Sequence, residues 1–165
     1  MPTVTTPRWL LLILIAATLS VTGCTSVTSA NAPELSDRVF IQLSAGPGPG
    51  EGTAYDEEDL WRANLAISMA NRALAANRPV TLFLDVHGPN LARTDLPESL
   101  NFASEPPLKH QFSEFIEKGG TVIVCPLCAE TLGLAQSDLV PGAVMDDSGI
   151  FGSEGLEPGT ASLSF

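Results

Sequence analysis

The sequence predicts an α/β domain: a single open, mainly parallel sheet of four to five strands flanked by helices. Three observations lead there. Short β-rich runs alternate with segments of helical period, and that order implies parallel strands joined by right-handed crossovers. One run, "VTLFLDV", is apolar almost throughout, as strands buried on both faces are. Gly/Pro-rich stretches separate several of the segments, as loops do.

The elements follow in chain order. Val39 to Leu43 reads as the first strand, and it breaks at "AGPGPGEGT", Ala45 to Thr53, a Gly/Pro loop. Tyr55 to Pro79 is the clearest helix. Its acids Asp56, Glu57, Glu58 and Asp59 crowd the start, where the helix dipole favours them. Leu60, Ala63, Ile67, Ala70 and Leu74 recur at spacings of three and four and form its buried stripe, with Trp61 beside it as a residue able to rim an interface. Arg72 and Arg78 lie near its end, and Pro79 is expected to stop it. Val80 to Val86 is the second strand, and a long irregular connection follows. Leu108 to Gly120 is a short helix with Phe112, Phe115 and Ile116 inward and Gly119 at its C-terminal stop. "TVIVC" is the third strand, "PLCAETLG" a short helix ending at Gly133, and "LVPGAVM" a turn at Pro141-Gly142 with a fourth strand. A Gly-rich acidic tail runs from about residue 146, and its last five residues can add an edge strand.

The N-terminus carries a separate signal. Arg8 precedes an apolar run from Trp9 to Leu19, and small residues then lead to Cys24, the layout of a secretory signal peptide. The run of 11 residues falls short of the ~20 a membrane-spanning helix needs. "VTGC", residues 21–24, resembles a bacterial lipobox, which implies cleavage after residue 23 and lipidation of Cys24. Residues 24–36 then form a lipidated cysteine and a polar tether able to reach about 40 Å when extended. The expected location is the cell envelope, lipid-anchored to the membrane, on the periplasmic side of the outer membrane if the host is Gram-negative. The folded domain spans residues 37–165.

Charge narrows the partners. Loss of residues 1–23 leaves 7 of the 8 basic residues against 19 acidic ones, a net charge of −12. No nucleic-acid partner is expected, because phosphate backbones require a basic face. The glycines match neither a dinucleotide fingerprint nor a phosphate-binding loop, so no cofactor is expected.

The chemistry concentrates at Cys125 and Cys128. If Cys24 is lipidated, they are the only two thiols left. Pro126 holds Cys125 extended and fits the first helical position, which makes Cys125 the N-cap. The free N–H groups of Leu127 and Cys128 then point at its sulfur and favour thiolate. Cys128, one turn in and more buried, can resolve an adduct formed on Cys125. Three alternatives stand beside this. Zinc needs about four ligands, so His87 and His110 would have to join the pair. Copper(I) accepts fewer soft ligands and suits a two-thiol site in a non-catalytic metal-binding or adaptor lipoprotein. An inert disulfide would close a very short loop and stabilise little. His87, just after the second strand, falls on the same sheet edge as Cys125 and is a candidate to orient a substrate or tune that thiol. A thioredoxin is excluded, because only 37 residues follow Cys128.

"VIVCPLCAETLGLAQSDLVPGAV", Val122 to Val144, resembles the DsrE/DsrF-like family. The matching features are a cysteine after a central strand (Cys125), a short helix, Gly133-Leu134, and Asp138-Leu139 with Gly142-Ala143. The resemblance implies an α/β sheet fold, often oligomeric, here a homo-oligomer. It also implies a cysteine that accepts persulfide sulfur from a protein thiol or persulfide partner, which corresponds to Cys125. An enzyme of this kind would be a sulfurtransferase or a thiol–disulfide oxidoreductase. Two features depart from the relay members, which are largely cytoplasmic: the export signal, and Cys128, which makes a dithiol of a one-cysteine carrier.

Overall fold

The computed structural model describes residues 37–51, 54–146, 155 and 157–165. The expected signal peptide, the expected lipidated Cys24 and its tether, and most of the acidic tail lie outside them. The strands are β1 (Arg38–Leu43), β2 (Val80–Leu84), β3 (Thr121–Val124), β4 (Ala143–Met145) and β5 (Thr160–Ser164). The helices are α1 (Glu57–Ala75), α2 (Leu108–Glu117) and α3 (Pro126–Thr131). The strands form one sheet in the order β4-β3-β2-β1-β5, and every pair is parallel. The α/β class, the parallel sheet and the strand built by the last residues are as the sequence predicts. No helix among the described residues is long and apolar enough to cross a membrane.

Strand alternation sorts the side chains into two faces. Ile41, Leu43, Val80, Leu82, Leu84, Val122, Val124 and Ala143 face the helices and form the main core with α1 and α2. Phe40, Phe83, Ile123 and Cys125 cluster on the other face, and the two phenyl rings stack at 6.0 Å. Ala63, Ile67 and Ala70 of the predicted α1 stripe are fully buried, while Leu60 and Leu74 pack at its margin. Phe112 and Phe115 are buried and Ile116 packs at the edge of the core. Trp61 lies off the stripe and is 53% exposed.

The helix ends differ from the sequence reading for local reasons. α1 begins at Glu57 because Asp56 caps it, accepting from the Asp59 N–H at 2.8 Å. It ends at Ala75, before Pro79 is reached, because Asn77 turns left-handed at φ 57°. Asn77 N–H donates to Leu74 O and Arg78 N–H to Ala73 O, the paired bonds of a Schellman motif. α2 and α3 end on the same pair of bonds around Gly119 and Gly133. α1 and α2 are also joined by a polar contact that no apolar period announces: buried Gln111 donates to Asn64 Oδ1 at 2.8 Å.

Two corrections concern the loops that carry the sheet edge. Strand β2 stops at Leu84 instead of Val86, because Asp85 turns its carboxylate into side-chain hydrogen bonds and Val86 adopts φ 50°. The connection after it is not irregular throughout. Gly88–Ala92 forms a buried 3-10 turn, and Asn90 donates from it to Pro47 O at 2.9 Å. Glycine is required there. A Cβ on Gly88 would sit 2.1 Å from Leu43 O, and one on Gly46 would sit 2.7 Å from His87 O. The absence of those two carbons lets the loops after β1 and β2 close on each other.

Candidate functional site

The carboxyl edge of the sheet is where open parallel sheets place their sites. Leu43 pairs with Leu84, and Leu84 with Val124. The bonds continue one step past the strands: Asp85 N–H donates to Leu43 O and Cys125 N–H to Leu84 O. Ser44, Asp85 and Cys125 therefore stand side by side at the ends of three neighbouring strands. Asp146 follows β4 in the same row, its N–H reaching Val124 O at 3.4 Å.

Cys125 caps α3 as its sequence predicts, with Pro126 in the first turn. Its Sγ accepts the Cys128 N–H at 3.3 Å. The Cys128 thiol also donates to it, with the two sulfurs 2.6 Å apart. That is close to the ~2.05 Å of an S–S bond, so a disulfide between them requires little movement. Both cysteines are free and partly exposed. α3 is only six residues long, so the aimed N–H matters more here than the helix dipole.

Cys128 is held from its other side. The Val86 N–H donates to its Sγ at 3.2 Å. Val86 is β-branched and left-handed, a conformation that costs such residues about 1–2 kcal/mol. Its side chain is 53% exposed, so burial does not offset that cost. Burial, helped by the hydrogen bond to Cys125, pushes the Cys128 thiol up to about 11, against the smaller pull of the Val86 N–H. At neutral pH Cys128 is therefore a protonated donor. Leu127, between the cysteines, is 72% exposed and leaves an apolar rim beside the pair.

Asp85 is the site residue that sequence reading missed. It is 8% exposed, and its carboxylate accepts from Gln42 Nε2 at 2.5 Å and Ser44 Oγ at 2.6 Å. Ser164 of β5 adjoins Gln42 at 3.5 Å. The only hint in the sequence is an acid at the end of an otherwise apolar strand.

His87 has its contacts at the loop that follows β1. Its N–H donates to Ser44 O at 3.3 Å and its ring lies against the Gly/Pro loop, within 3.9 Å of where a Cβ on Gly48 would be. The hydrogen bonds recorded at the two sulfurs come from Val86 and Cys128, and His87 supplies none of them. His110 lies exposed on α2. Among the described residues no group of three or more His, Cys, Asp or Glu side chains is placed to hold a metal ion.

Residues 38–152 match the model of the DsrE/DsrF-like family. The chain belongs to that family. Two solved structures share its fold. The ychN protein of E. coli aligns at TM-score 0.56 and 18% identity, over 78% of this chain and 99% of that one. The protein of unknown function MTH1491 from Methanobacterium thermoautotrophicum aligns at 0.54 and 19%, over 78% and 98%. No curated protein matches the sequence.

The raised Cys128 thiol makes a prediction. A shift from the ordinary 9.0 to about 11 lowers the thiolate fraction at pH 7 about a hundredfold. In a Cys125→Ser chain, where burial still dominates, Cys128 should alkylate about tenfold or more slowly at pH 7 than an unshifted thiol. Its rate should keep climbing above pH 9. A plateau below pH 9 would contradict the assignment.

Proposed function

We propose that this DsrE/DsrF-like protein handles sulfur through a dithiol in which Cys125 accepts and Cys128 resolves. The observation that carries the reading is the convergence of the Cys128 N–H and the Cys128 thiol on Cys125 Sγ. Both donors of Cys128 meet at the Cys125 sulfur, whereas Cys128, its thiol raised chiefly by desolvation, keeps its own proton. The two roles are thus divided by environment.

The chemistry balances without a cofactor. Cys125 thiolate attacks the outer sulfur of a persulfide R–S–SH, takes it as Cys125–S–SH and releases RSH. Cys128 then either leaves that sulfur for an acceptor or attacks the inner sulfur. The second route forms the Cys125–Cys128 disulfide, releases hydrogen sulfide and leaves two thiols oxidised by two electrons. Family membership supports the sulfur-relay class, and the second cysteine supports the resolving step.

Loading with glutathione persulfide, read by intact mass, tests this division. The wild-type chain should form the disulfide and release sulfide. Cys128→Ser should hold one added sulfur on Cys125, and Cys125→Ser should hold none. Sulfur retained by Cys125→Ser would remove Cys125 as the acceptor.

We propose further that the site works at the cell envelope, tethered through lipidated Cys24. The support is the charged, apolar and small-residue order of residues 1–24. A peptide beginning at Cys24 with acyl chains, recovered from the membrane fraction, is the expected result. A chain that keeps residues 1–23, or begins elsewhere without lipid, would contradict it.

A further inference from the structure

We propose that Asp85 is the proton acceptor that lets Cys128 act, so that the resolving step depends on a third residue from the neighbouring strand end. The inference rests on the dithiol reading above and deepens it.

Position comes first. Asp85 stands next to Cys125 across the β2–β3 register, and strand alternation puts both on the face of Phe83 and Ile123. The next residue, Val86, is bonded through its N–H to Cys128 Sγ at 3.2 Å. The Cys128 sulfur is therefore bracketed by Cys125 and by the strand end that carries the carboxylate. Asp85 also acts on it electrostatically.

Burial comes second. A carboxylate 8% exposed is costly to keep unless it is paired. Among the described residues Asp85 forms no ion pair with Lys or Arg. Its side-chain partners are the neutral donors Gln42 and Ser44. The two oxygens accept one hydrogen bond each, and no cation neutralises the charge they carry, which leaves the group able to take a proton. The left-handed Val86 is a second local cost in the same turn, and it is what aims the N–H at Cys128.

The step is complete in atoms and electrons. Cys125 carries a mixed disulfide, Cys125–S–S–R. Cys128 Sγ attacks Cys125 Sγ while its thiol proton passes to the Asp85 carboxylate, directly or through one water. The S–S bond to R breaks, and its electron pair leaves with RS⁻. Asp85 returns the proton to give RSH, and the Cys125–Cys128 disulfide remains. The other titratable groups brought near are Cys125 itself, Asp146 after β4, His87 in the following loop, and Asp59 of α1, whose carboxylate accepts the Gly46 N–H at 3.2 Å.

An aromatic disulfide that releases a coloured thiolate separates the steps and needs no physiological donor. Stopped-flow mixing should give two phases: adduct formation on Cys125, which Cys128→Ser retains, and resolution by Cys128, which Cys128→Ser lacks. Asp85→Asn should leave the first phase within about twofold and slow the second about tenfold or more at pH 7. The second phase should then rise with pH as Cys128 ionises unaided, and Asp85→Glu should restore part of the rate. Should Asp85→Asn not fold, Ser44→Ala removes one donor from the carboxylate and should shift the pH dependence of the second phase alone. An unchanged second-phase rate and pH profile in Asp85→Asn, or no shift in Ser44→Ala, would overturn the role. Failure of the sulfur-handling reading shows separately, as absent persulfide loading beside a normal two-phase reaction here.

Discussion

The site depends on one constraint, the in-register parallel alignment of β1, β2 and β3 carried one residue beyond each strand. The Asp85 and Cys125 N–H groups extend the ladders to Leu43 O and Leu84 O. A slip of one residue would turn Asp85 and Cys125 to the helix side and their apolar neighbours outward. Register is fixed by the core: Ile41, Leu43, Leu82, Leu84, Val122 and Val124 are all fully buried under the helices. Packing on one face thereby determines chemistry at the end of the other.

The loops then convert alignment into geometry. Gly88 passes so close to Leu43 O that no side chain fits, and this pulls the 3-10 turn under the edge. The turn fixes where Val86 points. Val86 accepts a left-handed backbone that its side chain disfavours, and its N–H ends at Cys128 Sγ. α3 supplies the remaining contacts because Cys125 is both the last residue of a strand run and the first of a helix. Stability is spent locally on a sulfur pair whose members differ in environment, one beneath two donors and one partly desolvated and holding its proton.

Much of this was legible in the sequence, and the parts that were not share a cause. Helical period and apolar runs found the strands, α1, α2 and their buried faces, because burial on a fixed face imposes a repeat. Cys125 as a cap was legible because the Pro after it restricts two residues at once. Asp85 leaves no signal beyond being a single acid in an apolar run, since only a neighbouring strand end shows what it faces. The left-handed Val86 runs against its residue type, and the tertiary fit that holds it leaves no local trace. Gln111 and Asn64 are polar residues inside a helix pair, a match visible only once both helices are placed. His87 is on the edge its sequence position predicts, and its ring contact is with the Gly/Pro loop.

The chain belongs to the DsrE/DsrF-like family, and the proposed sulfur chemistry rests on its second cysteine and its buried acid. The most direct measurement is mass spectrometry of adducts trapped on a Cys128→Ser chain expressed in its host. The account predicts a persulfide or a mixed disulfide at Cys125 that the unaltered chain resolves. Cys125 recovered only as an unmodified thiol in both chains would contradict it.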